Sequence, residues 1–262
     1  MIALGEARLQ SEELGLIQAM VVLEARLETA AQRKVWYADF LVDLLDAEMG
    51  ACRERYLLAR THLAHLPYDR TLEQFDFQFQ PSIDRRQVLE LASLNFAADA
   101  GNPLPLGPPG VGKTHLAVAL GVKGVENGYG MYFVRTHDPL EDLRRAQTEH
   151  RLDQRMRAYL GPSVLIIDEF GVWPYDRTAA TALFSLISAR YERGSIILTL
   201  NKSFAEWGEV LGDAFIAAAI FDRLLYHSHV LSIRGESYRL KEKRQVRRFG
   251  TGQPVPAVAH TQ

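Results

Sequence analysis

Eight consecutive residues carry the most specific chemistry in the sequence. Gly107-Pro108-Pro109-Gly110-Val111-Gly112-Lys113-Thr114 fits the spacing G-x-x-x-x-G-K-[ST]. Glycines at those positions let successive backbone N–H groups turn inward around a phosphate. An apolar run precedes the loop and a helical pattern follows it, so a helix N-terminus would add its positive dipole end to the same phosphate. Lys113 would bridge the terminal phosphates of a nucleotide, Thr114 would hold Mg²⁺, and His115 closes the nucleotide-binding stretch. ATP and Mg²⁺ are the expected cofactors.

Two further segments bear on the same chemistry. Val164 to Glu169 reads VLIIDE, a buried strand ending in two carboxylates that no core accepts without a use for them. Asp168 fits as the second Mg²⁺-organising group, and Glu169 is placed to polarise a water for attack on the terminal phosphate. A helix-capping pair is the other reading of Asp-Glu after a strand, and the loop upstream favours hydrolysis. A third strand, SIILTLN, ends in Asn201, whose amide would hold the attacking water or sense the terminal phosphate; otherwise it is a turn residue.

These residues need elements to hold them. After Gly101, apolar runs alternate with helical segments, the pattern of βα units and a parallel sheet. Expected strands are Leu104 to Leu106, Met131 to Arg135, Val164 to Asp168, Ile196 to Leu200 and Val230 to Ile233, with helices starting near Lys113, Asp138, Asp176 and Asp213. The fold class is therefore α/β, a five-stranded parallel sheet flanked by helices. Residues 1–66 repeat apolar positions at helical spacing (Leu14, Ile17, Val21, then Phe40, Leu41, Leu44, Leu45), which predicts a small all-helical domain. Residues 67–249 form the second domain, opening with LPYDRTLEQFDFQFQPS, a linker expected to pack on the residues after it. The tail, 250–262, reads as disordered.

Bulk properties narrow the classes. Hydrophobic residues make up 47% of the chain and charged ones 24%, ordinary for a packed globule. Thirty basic against 32 acidic side chains give no overall footprint for nucleic acid. Charge clusters locally instead. Arg234 to Arg248 holds seven basic and two acidic residues, either a phosphate-facing patch or a solvated tail. Arg53, Arg55 and Arg60, and Arg144, Arg145, Arg151, Arg155 and Arg157, form smaller clusters with the same two readings. The single cysteine, Cys52, excludes an internal disulfide and is expected as a buried or half-buried helix residue. The N-terminal sequence has no basic segment ahead of an apolar run, and no stretch is long enough to span a bilayer, so a cytoplasmic location is expected.

Taken with the phosphate loop, VLIIDE and Asn201, the segments VWPYDR (Val172 to Arg177), SARYERGSIILT (Ser188 to Thr199), DRLL (Asp222 to Leu225) and GESYRLKEKR (Gly235 to Arg244) resemble the IstB-like transposition helper ATPases, relatives of the DnaC helicase loaders. The resemblance covers about Leu66 to Arg248 and implies an AAA+ P-loop fold in which ATP sits between adjacent subunits of a homo-oligomer. It implies that Arg223 is an arginine finger offered to the neighbour's nucleotide, and that Arg239 is a second sensor contacting nucleotide from the C-terminal helices. It further implies duplex DNA and an IstA-like transposase as partners. A DnaC-like helicase loader, or a non-hydrolysing nucleotide-dependent DNA-binding switch, is the alternative. One departure from the family pattern is Asn102-Pro-Leu-Pro-Leu106 ahead of the loop. Pro103 and Pro105, two apart, lack N–H groups toward the same neighbouring strand, so one side of this strand's pairing should suffer and the other survive.

Overall fold

The computed structural model describes residues 2–172, 174–238 and 240. The chain divides into two compact units, the first ending at Arg60 and the second beginning at Thr61. Arg239 and the basic residues after Leu240 lie outside the described residues, as does the tail expected to be disordered.

The first unit is built from α1 (Ile2–Glu13), α2 (Ile17–Arg33) and α3 (Tyr37–Leu63) up to the division. Gly15, at φ 72, separates α1 from α2, and Lys34, left-handed at φ 52, ends α2 by donating its N–H to the Ala30 carbonyl. Glu48 of α3 is 5% exposed and accepts from the Ala19 N–H at 2.8 Å. That N–H belongs to the first turn of α2, where the helix supplies no acceptor, so a carboxylate from a neighbouring helix caps it. The Ala19 bond first, and then the Arg55 guanidinium at 2.9 Å, hold Glu48 below the usual carboxylate range despite the opposing effect of burial. Helical spacing does not by itself decide burial here. Ala19 and Leu23 are buried, whereas Leu14, Ile17, Val21, Leu41 and Leu45 are exposed. Three helices in about 60 residues enclose too little volume to bury every apolar position that helical spacing marks. Cys52 is also exposed rather than buried, on a face of α3 where its sulfur accepts from Arg55.

In the second unit the order is α4 (Arg85–Ala92), α5 (Asn95–Ala98), β1 (Asn102–Leu106), α6 (Lys113–Glu126), β2 (Met131–Arg135), α7 (His137–Thr148), α8 (Leu152–Leu160), β3 (Val164–Phe170), α9 (Arg177–Arg190), β4 (Ser195–Leu200), α10 (Trp207–Leu211), α11 (Ala214–Leu225) and β5 (Ser228–Ser232). The five strands form one parallel sheet in the order β2-β3-β4-β1-β5. Central strands of such a sheet are covered on both faces, which is why β3 and β4 read as near-continuous apolar runs and are buried almost throughout. Strand β2 has its expected bounds, β3 continues past Asp168 to Phe170, and β5 starts earlier than Val230. Asp176 and Asp213 cap α9 and α11 with their side chains. Asp138 instead lies inside the first turn of α7.

The prolines act on the side that their spacing implies. Strand β1 pairs with β5 along its whole length, from Asn102 opposite Ser228 to Leu106 opposite Ser232. With β4 the only registered pair is Leu106 opposite Leu200. The Asn102 N–H donates toward β5 and the Gly107 N–H toward Leu200, so residues 103 and 105 face β4, where proline has nothing to donate. Asn102 repairs part of the seam. Its side-chain oxygen accepts from the Ile196 N–H of β4 at 2.9 Å, and its amide donates to the Leu224 carbonyl at 3.2 Å.

Candidate nucleotide site

The C-terminal ends of β1, β3 and β4 meet at one edge of the sheet, and because β4 lies between the other two, its side chains reach both. There a cleft of about 640 Å³ is lined by the 109–115 segment, Asp168, Glu169, Thr199, Asn201 and part of the segment that precedes α4.

The loop between β1 and α6 has the conformation that its glycines permit. Gly110 and Gly112 sit at φ 83 and φ 103, and a Cβ on Gly107 would stand 2.3 Å from the Ile233 carbonyl oxygen. Lys113, 6% exposed, donates from Nζ to the carbonyls of Gly107 and Pro108, both at 2.8 Å, which draws its ammonium across the mouth of the loop. The Thr114 hydroxyl lies 2.9 and 3.0 Å from the two carboxylate oxygens of Asp168. A hydroxyl and a carboxylate converging beside this loop are hard oxygen donors of the kind that would suit Mg²⁺. Among the described residues no group of three His, Cys, Asp or Glu is placed to hold a metal ion.

Asp168 is 3% exposed and held from three directions. Besides Thr114, the Thr199 hydroxyl of β4 donates to its carboxylate, and Thr136 donates to its carbonyl from both N–H (2.9 Å) and Oγ1 (2.7 Å). Glu169 follows at φ 63, a left-handed backbone uncommon outside glycine and asparagine. Its N–H donates to Thr199 Oγ1 at 3.0 Å, and its side chain is exposed at the cleft. Asn201 lines the same cleft.

The aromatic segment before α4 packs on the loop, as its composition predicts. The Phe75 ring would meet a Cβ on Gly112 at 2.7 Å and stands edge-on to His115 with centroids 5.2 Å apart. His115 Nε2 is 2.9 Å from the Thr71 carbonyl, so the tautomer that donates there carries its proton on Nε2. Burial pushes the pKa of His115 down, which keeps the ring neutral at neutral pH. Ser82 exchanges hydrogen bonds with the backbone of Arg234 (2.8 and 2.9 Å), and Gln80 donates to the Glu236 carbonyl at 3.1 Å. The loop is thus clasped between this segment and the chain that follows β5. Tyr68, Arg70 and Gln74 line the cleft for that reason, and no motif marks them.

The cleft gathers the phosphate loop, Asp168, Glu169 and Asn201, but not Arg223. Arg223 lies near the far end of α11, where it donates to the Ala219 carbonyl at 2.8 Å and stacks over the Phe184 ring at 4.9 Å. It borders a small crevice with Arg190 and Gly194. The arginine clusters are partly compensated. Arg155 and Arg145 pair with Asp142, Arg151 pairs with Glu149, and Arg55 pairs with Glu48.

Comparison with known proteins adds to this geometry. The family described as IstB-like ATP binding protein matches residues 9–246. A protein of insertion sequence IS21 from Pseudomonas aeruginosa, described as ATP-binding, is 49% identical over 223 residues, 85% of this chain and 84% of its own length. Its counterpart in insertion sequence IS5376 of Geobacillus stearothermophilus is 46% identical over 220 residues, 84% of this chain and 88% of its own. Among solved structures, the replication initiator DnaA bound to AMPPCP and single-stranded DNA is similar at TM-score 0.55 and 19% identity, over 71% of this chain and 56% of that one. DnaI is similar at TM-score 0.54 and 18% identity, over 63% and 91%. At those identities the likeness shows the fold, that of AAA+ P-loop proteins.

Proposed function

Because the chain belongs to the IstB-like ATP binding protein family, we propose that it binds and hydrolyses ATP as a helper of DNA transposition, assembling on target duplex DNA and recruiting or activating a transposase. The observation that carries the ATPase part is the convergence of Lys113, Thr114, Asp168 and Glu169 in one cleft at the end of the sheet. The insertion-sequence relatives favour the transposition reading over helicase loading.

In this reading the loop N–H groups and Lys113 bind the phosphates, and Thr114 and Asp168 hold Mg²⁺. When bound, the ion neutralises phosphate charge that builds during transfer. Glu169 orients a water and draws its proton as the oxygen attacks the terminal phosphorus and ADP leaves, while Asn201 fixes that water or contacts the terminal phosphate. Arg223, turned away from its own cleft, serves the nucleotide of an adjacent copy. Arg239 stands in the same proposal as a second nucleotide contact and lies outside the described residues. No described helix is long and apolar enough to cross a membrane. The proposed place of action is the cytoplasm, as a helper acting on DNA with a transposase requires.

The test is steady-state ATP hydrolysis with and without duplex DNA, for the wild type, Glu169→Gln and Arg223→Ala, with assembly size followed in parallel. Turnover should rise with DNA and fall by at least about 100-fold in each variant, with ATP-dependent assembly retained in Glu169→Gln. Wild-type protein that binds ATP and never turns it over would move the assignment to a nucleotide-dependent switch.

A further inference from the structure

Strand β3 does not run straight into the cleft. Its pairing with β4 is regular from Val164 opposite Ser195 to Ile167 opposite Leu198, and resumes with Phe170 opposite Leu200. Between those pairs, Asp168 and Glu169 of β3 face the single residue Thr199 of β4, so β3 carries one residue too many. Such a bulge bends a strand and re-aims its side chains. Here the extra residue takes φ 63 at Glu169, a conformation that a glutamate holds only when its surroundings impose it.

The imposing group is the Thr199 hydroxyl. It has one proton to give and lone pairs to accept with, and both capacities are used: it donates to the Asp168 carboxylate and accepts the Glu169 N–H at 3.0 Å. That N–H would otherwise be left without a ladder partner by the bulge. Thr199 is 1% exposed, so water does not compete for either bond. One buried hydroxyl therefore ties the metal-organising carboxylate to the backbone of the water-polarising residue.

We propose that Thr199 is a positioning residue of the site: its hydroxyl fixes the Asp168 carboxylate for the cation and locks Glu169 in the left-handed conformation that presents its carboxylate to the attacking water. This rests on the reading of Asp168 and Glu169 as the working carboxylates of an ATPase. The residue bordering Thr199, Leu200, is apolar and buried, so β4 supplies this function through Thr199 alone, separately from the cleft-lining Asn201.

The test compares Thr199→Val, which keeps the shape and removes the hydroxyl, Thr199→Ala as a second hydroxyl-free variant, and Thr199→Ser, which keeps the hydroxyl. Two quantities are read on the full chain: Mn²⁺ affinity in the presence of a slowly hydrolysed ATP analogue, followed by electron paramagnetic resonance, and kcat and KM for ATP. Val and Ala should weaken Mn²⁺ binding about tenfold and lower kcat about 10- to 100-fold at nearly unchanged KM, with Ser close to wild type in both. Hydroxyl-free variants with wild-type Mn²⁺ affinity would overturn the proposal, as would a Ser variant as impaired as Val. If wild-type protein shows no turnover, the ATPase reading fails by itself, and Mn²⁺ affinity still decides whether Thr199 anchors Asp168.

Discussion

Gly112 shows how narrowly single residues shape this cleft. It combines φ 103 with a Phe75 ring that would stand 2.7 Å from any Cβ, so Gly112→Ala forces both the loop and the segment over it to move. Gly128, at φ 82, has open space within 4 Å of the place a Cβ would occupy, and serves as a control that carries the backbone strain without the contact. Titration with a fluorescent ATP analogue should show affinity reduced about tenfold or more in Gly112→Ala and nearly unchanged in Gly128→Ala. Equal affinities in the two variants would mean that Phe75 does not constrain the loop. At this scale the sequence is legible where the chemistry is local. The phosphate loop and the Asp-Glu pair are contiguous, so their residue types betray them. Thr199 is not legible in this way, because its role depends on a bulge in another strand and on the register between the two.

Two elements carry expectations of their own. The seam between β1 and β4 has a single registered pair, and Pro103→Val with Pro105→Leu restores two N–H groups directed at β4. The double variant should melt a few degrees higher, with slower amide exchange in β4, since each recovered ladder bond contributes about 1 kcal/mol. Unchanged melting temperature and ATP affinity would show that the seam costs nothing. In the helical unit, Glu48 caps α2 in its ionised form, and its pKa is depressed from 4.5 chiefly by the Ala19 N–H. A depressed carboxylate contributes stability that is complete above its unfolded pKa and is lost as pH falls through the folded value. Protection of the Ala19 amide against exchange, corrected for intrinsic rates, should therefore hold at neutral pH, drop once the pH falls below the ordinary carboxylate range in wild type, and stay flat in Glu48→Gln. Strands and capped helices were readable here from apolar runs and from Asp176 and Asp213. The interior of the helical unit was not. Helical spacing marks an apolar face without saying whether enough partner surface exists to cover it, and Leu14, Val21 and Leu41 remain exposed.

Overall charge is near neutral, and among the described residues Arg145, Arg151 and Arg155 are paired with carboxylates, so the molecule as a whole offers little diffuse attraction for DNA outside the basic 234–248 segment. Any DNA contact is therefore expected to depend on a few placed groups and on assembly. Arg223 bears on assembly. It is absent from the cleft that holds the phosphate loop, so a single copy contains an incomplete site in the proposed mechanism. The most direct measurement is ATP turnover in a mixture of Arg223→Ala and Glu169→Gln proteins, each expected to be inactive by itself. Subunits with an intact Glu169 would then receive an intact Arg223 from the other variant. Mixing should restore a substantial fraction of the DNA-stimulated wild-type rate. A mixture as inactive as its separate components, although the two variants co-assemble, would contradict a site completed between subunits.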